Sequence, residues 1–403
     1  MLTKRYLYCL IPLSFIFLQC KPSQSVLDKV MSSSNPSIKR VRQQLKKHEV
    51  QIVLTEINTE QPTAPQLLRS SFQLDEEHYF YPASTAKLPI AALTLQKLNE
   101  LNTQGIPIKP TTAFEIRDLQ GKAIQLTDTT QREGKLTLAH LIKKIFLVSD
   151  NEAYNYLFDF LGRDYINQEL EKKGLKKTQI FHKFLFGADN IRTWEYTFFD
   201  EFGDTLYQQN SLKSKFNAEN KLSGVFKGEG FLQDGEVVKA PMDFRFKNRI
   251  SLLDLEGILM RLIYPQLFTI DQQFTLNDKD LEFLRFWMSR STLESSSPNY
   301  DDGDHWDSYG KFFIYGDQKE KMTDQIRIYN KVGYAYGTLT DVAYIHDKSN
   351  NLSFFLTATI LVNENKIFND DQYEFDSIGI PFLATLGRLV LRELQHKQES
   401  VVE

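Results

Sequence analysis

"YPASTAKLPIAALTLQKLNE", residues 81–100, sets a serine and a lysine three positions apart at the mouth of a helical run. On a helix, residues i and i+3 share a face, with Cβ atoms about 5–6 Å apart. A serine hydroxyl becomes a useful nucleophile only when a base takes its proton. A lysine serves as that base only when burial or a neighbouring cation lowers its pKa. At a helix N-terminus, Ser84 also lies where the helix dipole favours developing negative charge. Ser84 and Lys87 are therefore candidates for a nucleophile and its base. Taken alone, the pair has a plainer reading, an N-cap serine followed by a surface lysine. The spacing also arises by chance: "SYGK", Ser308 and Lys311, repeats it with a glycine inside and no amphipathic helix behind it.

Two further stretches change the balance. In "LTLAHLIKKIFLVSDNEAYNYLFDFLG", residues 136–162, Leu138, Leu141, Ile142, Ile145 and Phe146 follow the spacing of one buried helix face. Ser149-Asp150-Asn151 interrupts that pattern, and all three residue types compete with helical hydrogen bonding. A second amphipathic run spans 152–161 and stops at Gly162. In isolation the interruption also reads as an ordinary helix–helix turn. "KVGYAYGTLTDVAYI", residues 331–345, is a β-rich run that opens on Lys331-Val332-Gly333-Tyr334. In isolation it reads as a strand with an exposed lysine.

Together and in this order, the three motifs resemble the penicillin-recognising serine hydrolases, and class A β-lactamases most. The flanks agree. The helix running into Ser149-Asp150-Asn151, the "GTLTDVA" continuation after Lys331, and the runs "ISLLDLEGIL" and "DLEFLRFWM" are similar to elements of that family. The likeness covers residues 36–185 and 249–395.

The resemblance implies an α/β (α+β) fold of β-lactamase/transpeptidase type, with an antiparallel sheet flanked by N- and C-terminal helices and an inserted all-helical lobe. It implies Ser84 as the acylated nucleophile and Lys87 as its base or relay. Ser149 would pass a proton to the leaving nitrogen, and Lys331 would hold Ser149 and the substrate carboxylate. Asn151 would bond the substrate's side-chain amide. Val332 and Gly333 would line the substrate strand, and the backbone N–H groups of Ser84 and Tyr334 would form an oxyanion hole. No metal or organic cofactor is implied. Two departures stand out. Val332 occupies a place where the family has a hydroxyl. Continuing from "GLKKTQI" without a gap, the family's general-base glutamate falls at Phe184. Glu195, in "RTWEY", or Asp189, in "GADN", takes the role only if the loop is rebuilt.

Composition bounds the rest. The chain has 403 residues, 41% apolar and 25% charged, which places it among globular proteins with a sizeable core. A net charge of -4 with both signs interspersed argues against nucleic acid as a partner. No H-E-x-x-H occurs, which disfavours a zinc hydrolase. The only cysteines are Cys9 and Cys20. Cys9 lies in an apolar run, "LYCLIPLSFIFL", that follows the basic "MLTKRY" and stops at Gln19-Cys20. That run has the length of a signal peptide and looks like a lipoprotein signal, with Cys20 acylated. A secretory signal or an uncleaved anchor is the alternative. Each places the body outside the cytoplasm; the expected location is the cell envelope, lipid-anchored and facing the periplasm or exterior.

The expected organisation is a signal at 1–19 and a Ser-rich tether at 20–35. An α/β lobe then comprises 36–83 and 308–398, with a helical lobe at 84–307 between them. Turn signals make 186–248 an atypical insertion. The expected activity is the opening of a β-lactam or related amide. A D-Ala-D-Ala peptidase acting on a peptidoglycan-like peptide, or an esterase, is the runner-up. A surface-binding lipoprotein that lost turnover is the rival from another class. Its support is the aromatic start of the insertion, although core packing is the preferred account of those aromatics.

Overall fold

A computed structural model describes residues 24–58, 65–124, 130, 136–185 and 187–402. The signal segment, with Cys9 and Cys20, lies outside the described residues. Among the described residues, no helix is long and apolar enough to cross a membrane.

Five strands form one antiparallel sheet. They are β1 (Gln51–Asn58), β2 (Gln66–Phe72), β3 (Ile326–Ala335), β4 (Thr338–Asp347) and β5 (Leu352–Leu361), in the order β3-β4-β5-β1-β2. The two ends of the chain thus meet in one sheet, where Gln51 pairs with Thr359. The turns explain the register. Ala335 pairs with Thr338 across a two-residue loop in which Tyr336 and Gly337 both take positive φ. That geometry matches the right-handed twist of the flanking strands. At the β4–β5 turn, the Asp347 carboxylate accepts from the Ser349 and Asn350 backbone N–H groups at 3.0 and 3.3 Å.

Apolar residues alternate across the sheet. Leu54, Leu356, Ala358, Ile360, Ala343 and Ile345 face one core cluster, whereas Val342 and Phe355 face another. Both faces are covered over β1, β4 and β5, which are buried along most of their length, whereas the edge strand β2 is largely exposed. Three helices cover the first face: α1 (Val26–Ser32), α2 (Pro36–Arg42) and the C-terminal α9 (Ile380–Val402). Helix α1 corrects the tether expected at 20–35. Ser25 and Asp28 form a capping box, and Val26, Leu27, Val30 and Met31 are buried in that core. Four apolar contacts and a cap order a seven-residue helix that has little stability by itself.

The second face meets the inserted lobe. Helix α3 (Lys87–Thr103) runs through its centre, buried nearly all round. Around it lie α4 (Leu138–Val148), α5 (Asn151–Leu161), α6 (Arg163–Lys172), α7 (Leu252–Ile263) and α8 (Asp278–Ser289). Helix α7 packs directly on β4 and β5. The lobe is not purely helical. Phe114–Arg117, Ala123–Ile124, Glu195–Phe199 and Thr205–Gln209 form a four-stranded sheet. The aromatic start of the 186–248 insertion enters it. Tyr196 and Phe198 are fully buried, with Phe198 5.4 Å from Phe114 and 5.5 Å from Phe160 between ring centroids. These aromatics therefore pack the core. Such short strands carry too little alternation to stand out in sequence.

Candidate active site

The chain enters α3 through a tight turn, Ala83–Ala86, with Ala83 at a positive φ of 45°. A side chain in that region stores strain, which surrounding contacts must hold. Strand β3 supplies them. A Cβ on Gly333 would lie 2.7 Å from the Pro82 carbonyl oxygen and 2.8 Å from the Ser84 nitrogen. Only glycine lets the strand pass this close to the turn. The approach sets the backbone of Ser84 beside that of β3, an edge strand, whose outward N–H groups have no ladder partner.

The α4–α5 junction supplies the third wall. Ser149 ends α4 in the left-handed region, at φ 56°. Asp150 caps α5 by accepting from the Ala153 N–H at 2.7 Å, and it pairs with Lys144 at 3.1 Å. Asp150 thus holds the turn, leaving Ser149 and Asn151 to project from it.

Lys87 Nζ lies 2.9 Å from Ser84 Oγ, 2.6 Å from Asn151 Oδ1 and 3.3 Å from Ser149 Oγ, and it also contacts the Ser149 carbonyl. Lys331 Nζ donates to Ser149 Oγ at 2.8 Å and to the Val332 carbonyl at 2.7 Å. Ser149 Oγ therefore bridges the two lysines. Burial drives Lys87 well below the ordinary lysine value. The nearby Lys331 adds to the fall, and Asp150 opposes it. Burial also lowers Lys331 to about 7, against the pull of Asp341 and with a further push from Lys311. A neutral Lys87 amine has two hydrogens. The Asn151 and Ser149 carbonyl oxygens accept both, which leaves the lone pair for the Ser84 hydroxyl. The arrangement can therefore move a proton off Ser84.

Phe184 is half-buried next to this cluster. Its ring centroid is 5.1 Å from Lys87 Nζ and 4.5 Å from the Tyr154 ring, and its N–H donates to Asn155 Oδ1 at 2.7 Å. Glu195 lies on the strand Glu195–Phe199 of the second sheet, paired through its backbone with Arg117. The Asp189 carboxylate closes its own turn onto the Ile191 and Arg192 N–H groups and pairs with the Arg192 guanidinium at 2.7 Å. Neither acid is brought to Ser84.

The second serine–lysine spacing reaches the same region in another role. Ser308 Oγ donates to the Gln318 carbonyl at 2.6 Å, away from its lysine. Lys311 is buried and donates to the Met288 and Ile328 carbonyls and to Asn330 Oδ1 at 2.7, 3.1 and 2.8 Å. Asn330 Nδ2 donates in turn to Asp341 Oδ1 at 2.9 Å. Burial lowers Lys311 to about 7 and raises Asp341 to about 6. This brace lies beneath the Lys331 strand and went unread in the sequence. Its local signals are Asn330 and Asp341, two polar residues buried within the strands.

Ser84, Ser149, Asn151 and Lys331 open into a cavity of about 790 Å³. Its outer wall is aromatic, built from Tyr300, Trp306, Tyr309 and Tyr334.

Residues 36–218 match the model of a family described as the β-lactamase enzyme family. The fold is similar to that of a β-lactamase from Xanthomonas campestris pv. campestris, at 15% identity. That match covers 91% of this chain and 98% of that one, with a TM-score of 0.51. It is also similar to PBP-A in an acyl-enzyme complex with penicillin G, at 12% identity, covering 93% and 98% with a TM-score of 0.50. No curated protein sequence matches the chain. The family match across 36–218 and the fold match across most of the chain agree with the order of the three motifs: the chain has the β-lactamase/transpeptidase fold, and residues 36–218 are similar to the β-lactamase enzyme family.

Proposed function

We propose that this protein is a serine acyl-transfer enzyme that opens a β-lactam or a related amide through an acyl-enzyme on Ser84. The observation that carries the reading is the 2.9 Å contact of Ser84 Oγ with a buried Lys87 whose hydrogens are already committed. In the first step Ser84 Oγ bonds to the carbonyl carbon and its proton passes to Lys87 Nζ. The Ser84 and Tyr334 backbone N–H groups receive the oxyanion. Collapse breaks the C–N bond, and the leaving nitrogen takes a proton through Ser149 Oγ, which lies between the two lysines. Asn151 and the β3 strand at Val332 and Gly333 orient the substrate. These steps call for no cofactor.

A peptidase or esterase of the same chemistry is the second reading. Phe184 beside Lys87 and the missing hydroxyl at Val332 favour it over a fast β-lactamase. The connected Ser84–Lys87–Ser149–Lys331 cluster supports an enzyme over a binding protein without turnover. Anchoring in the envelope through an acylated Cys20 belongs to the same proposal. The test is covalent labelling by a fluorophosphonate and by a fluorescent penicillin, following both uptake and loss of label. Wild type should take up both and Ser84→Ala neither. Label on the Ser84→Ala protein would exclude Ser84 as the nucleophile.

A further inference from the structure

Beyond Ser84 the cavity continues over the edge of β3, and this annex has an unusual lining. Phe312, Val332, Leu339, Phe375 and Ile380 form it. Val332 is only 5% exposed and packs in the same core cluster as Phe312 and Leu339, so its side chain offers no polar atom. The charged side chain on this side is Asp376, exposed on the turn Phe375–Gly379 that leads into α9. Among the described residues lining the cavity there is no arginine. The other titratable groups there are engaged. Asp150 pairs with Lys144 at 3.1 Å, and His305 Nδ1 with Asp302 at 2.7 Å. Lys331, expected from the resemblance to hold a substrate carboxylate, gives two donors to Ser149 Oγ and the Val332 carbonyl, and burial lowers it to about 7, so near neutral pH it offers only part of a full charge. Burial holds the Tyr309 hydroxyl above the ordinary tyrosine value. A carboxylate placed over Val332 would lose water, gain no hydroxyl, and face a like charge. Unpaired buried charge is costly, and so is like-charge contact.

Resting on Ser84 as the acylated residue, we propose that the substrate portion lying over Val332 carries no carboxylate. The site takes neutral, apolar acyl compounds, an ester or an amide without a free acid, and Asp376 acts as the residue that rejects anions. This differs from a weak version of penicillin recognition, because it predicts that masking the acid improves the substrate.

The experiment compares benzylpenicillin with its methyl ester on the full-length protein. Acylation of Ser84 is read by intact mass, and a fluorophosphonate serves as an independent probe of the serine. The methyl ester should acylate roughly tenfold faster, the scale of one unsatisfied polar group. Asp376→Asn should raise the free-acid rate about threefold, and Val332→Thr should raise it as well. A free acid that acylates as fast as its ester, or faster, overturns the proposal. Fluorophosphonate labelling of Ser84 with no acylation by either lactam also overturns it while leaving the nucleophile intact. Failure of all three reagents at Ser84 removes the acyl-enzyme reading and the proposal with it.

Discussion

The Phe184 ring centroid stands 5.1 Å from Lys87 Nζ, and residue 184 is where ungapped counting along the sequence puts the general-base glutamate of the class A β-lactamases that the chain resembles. The ring is part of the burial that lowers Lys87, although its π face also attracts the charged form. It cannot orient or deprotonate a water for the second half-reaction. Acylation and deacylation are thereby given opposite prospects by one side chain.

The acyl-enzyme should therefore persist. General-base help is worth about 10²–10⁴ in rate, so Phe184→Glu should shorten the acyl-enzyme lifetime by at least about a hundredfold while leaving labelling of Ser84 possible. Glu195→Gln and Asp189→Asn should leave the lifetime unchanged, since neither acid is placed at the serine. Intact mass followed over time after a penicillin pulse measures this. Rapid wild-type turnover, or an acyl-enzyme trapped by Glu195→Gln, contradicts the expectation.

Acylation should rise with pH through the region near 7. The base form of lysine is the deprotonated one. Lys331 sits at about 7, and Lys87 is held well below its ordinary value by burial and by Lys331. The two share Ser149, so the apparent pKa belongs to the pair. The stability effect has a defined sign too. Lys331 is depressed from 10.5 to about 7, so the unfolded chain holds more protons between those values. Its cost to folding is complete below about pH 7 and is relieved as pH rises toward 10.5. Lys311→Met removes a cation that lowers Lys331, so the acylation profile should move to higher pH. Labelling rate against pH tests this, and an acid-shifted profile in that variant refutes the coupling.

Gly333→Ala should separate the strand from the nucleophile turn. The new Cβ meets backbone, at 2.7 Å from both the Pro82 oxygen and the Thr85 nitrogen, and backbone there cannot yield as a flexible side chain would. Loss of one oxyanion donor costs about 10²–10³ in rate. A comparable fall in fluorophosphonate labelling is expected, with the far-ultraviolet circular dichroism retained. Labelling within threefold of wild type would show that the close approach does not hold the site.

Cys20→Ser should move the protein out of the membrane fraction or leave its signal uncleaved, since one acyl chain binds membranes only reversibly and stable anchoring needs more than one. Fractionation with intact mass of the N-terminal peptide checks this. Unchanged membrane retention with normal processing would exclude acylation at Cys20.

What could be read without coordinates was local. Ser149-Asp150-Asn151 broke a strong helical period, and those side chains disrupt helices wherever they occur. Lys331 and Gly333 stood out in a β-rich run only because they follow Ser84–Lys87 and Ser149-Asp150-Asn151 in an order that resembles a known family. Phe184 was reached by counting residues along one short segment. The helix in 26–32 was hidden because a seven-residue helix depends on the core it docks against, and polar serines around it suggested a tether. The four-stranded sheet in the helical lobe was hidden because its strands are only two to five residues long and its central pairing, Phe114 with Phe198, joins distant parts of the chain. Lys311 looked like chance. Its meaning rests on Asn330 and Asp341, 19 residues away and one strand beyond. The sequence by itself determined which chemistry was present, a serine with lysines in a particular order. Tertiary structure alone decided how that chemistry is tuned. Ser149 and Lys331 meet across 182 residues, and the apolar annex beside Val332 exists only where β3, β4 and the start of α9 converge. Burial sets the lysine pKa values and the polarity of that annex, and burial is a property of the packed chain.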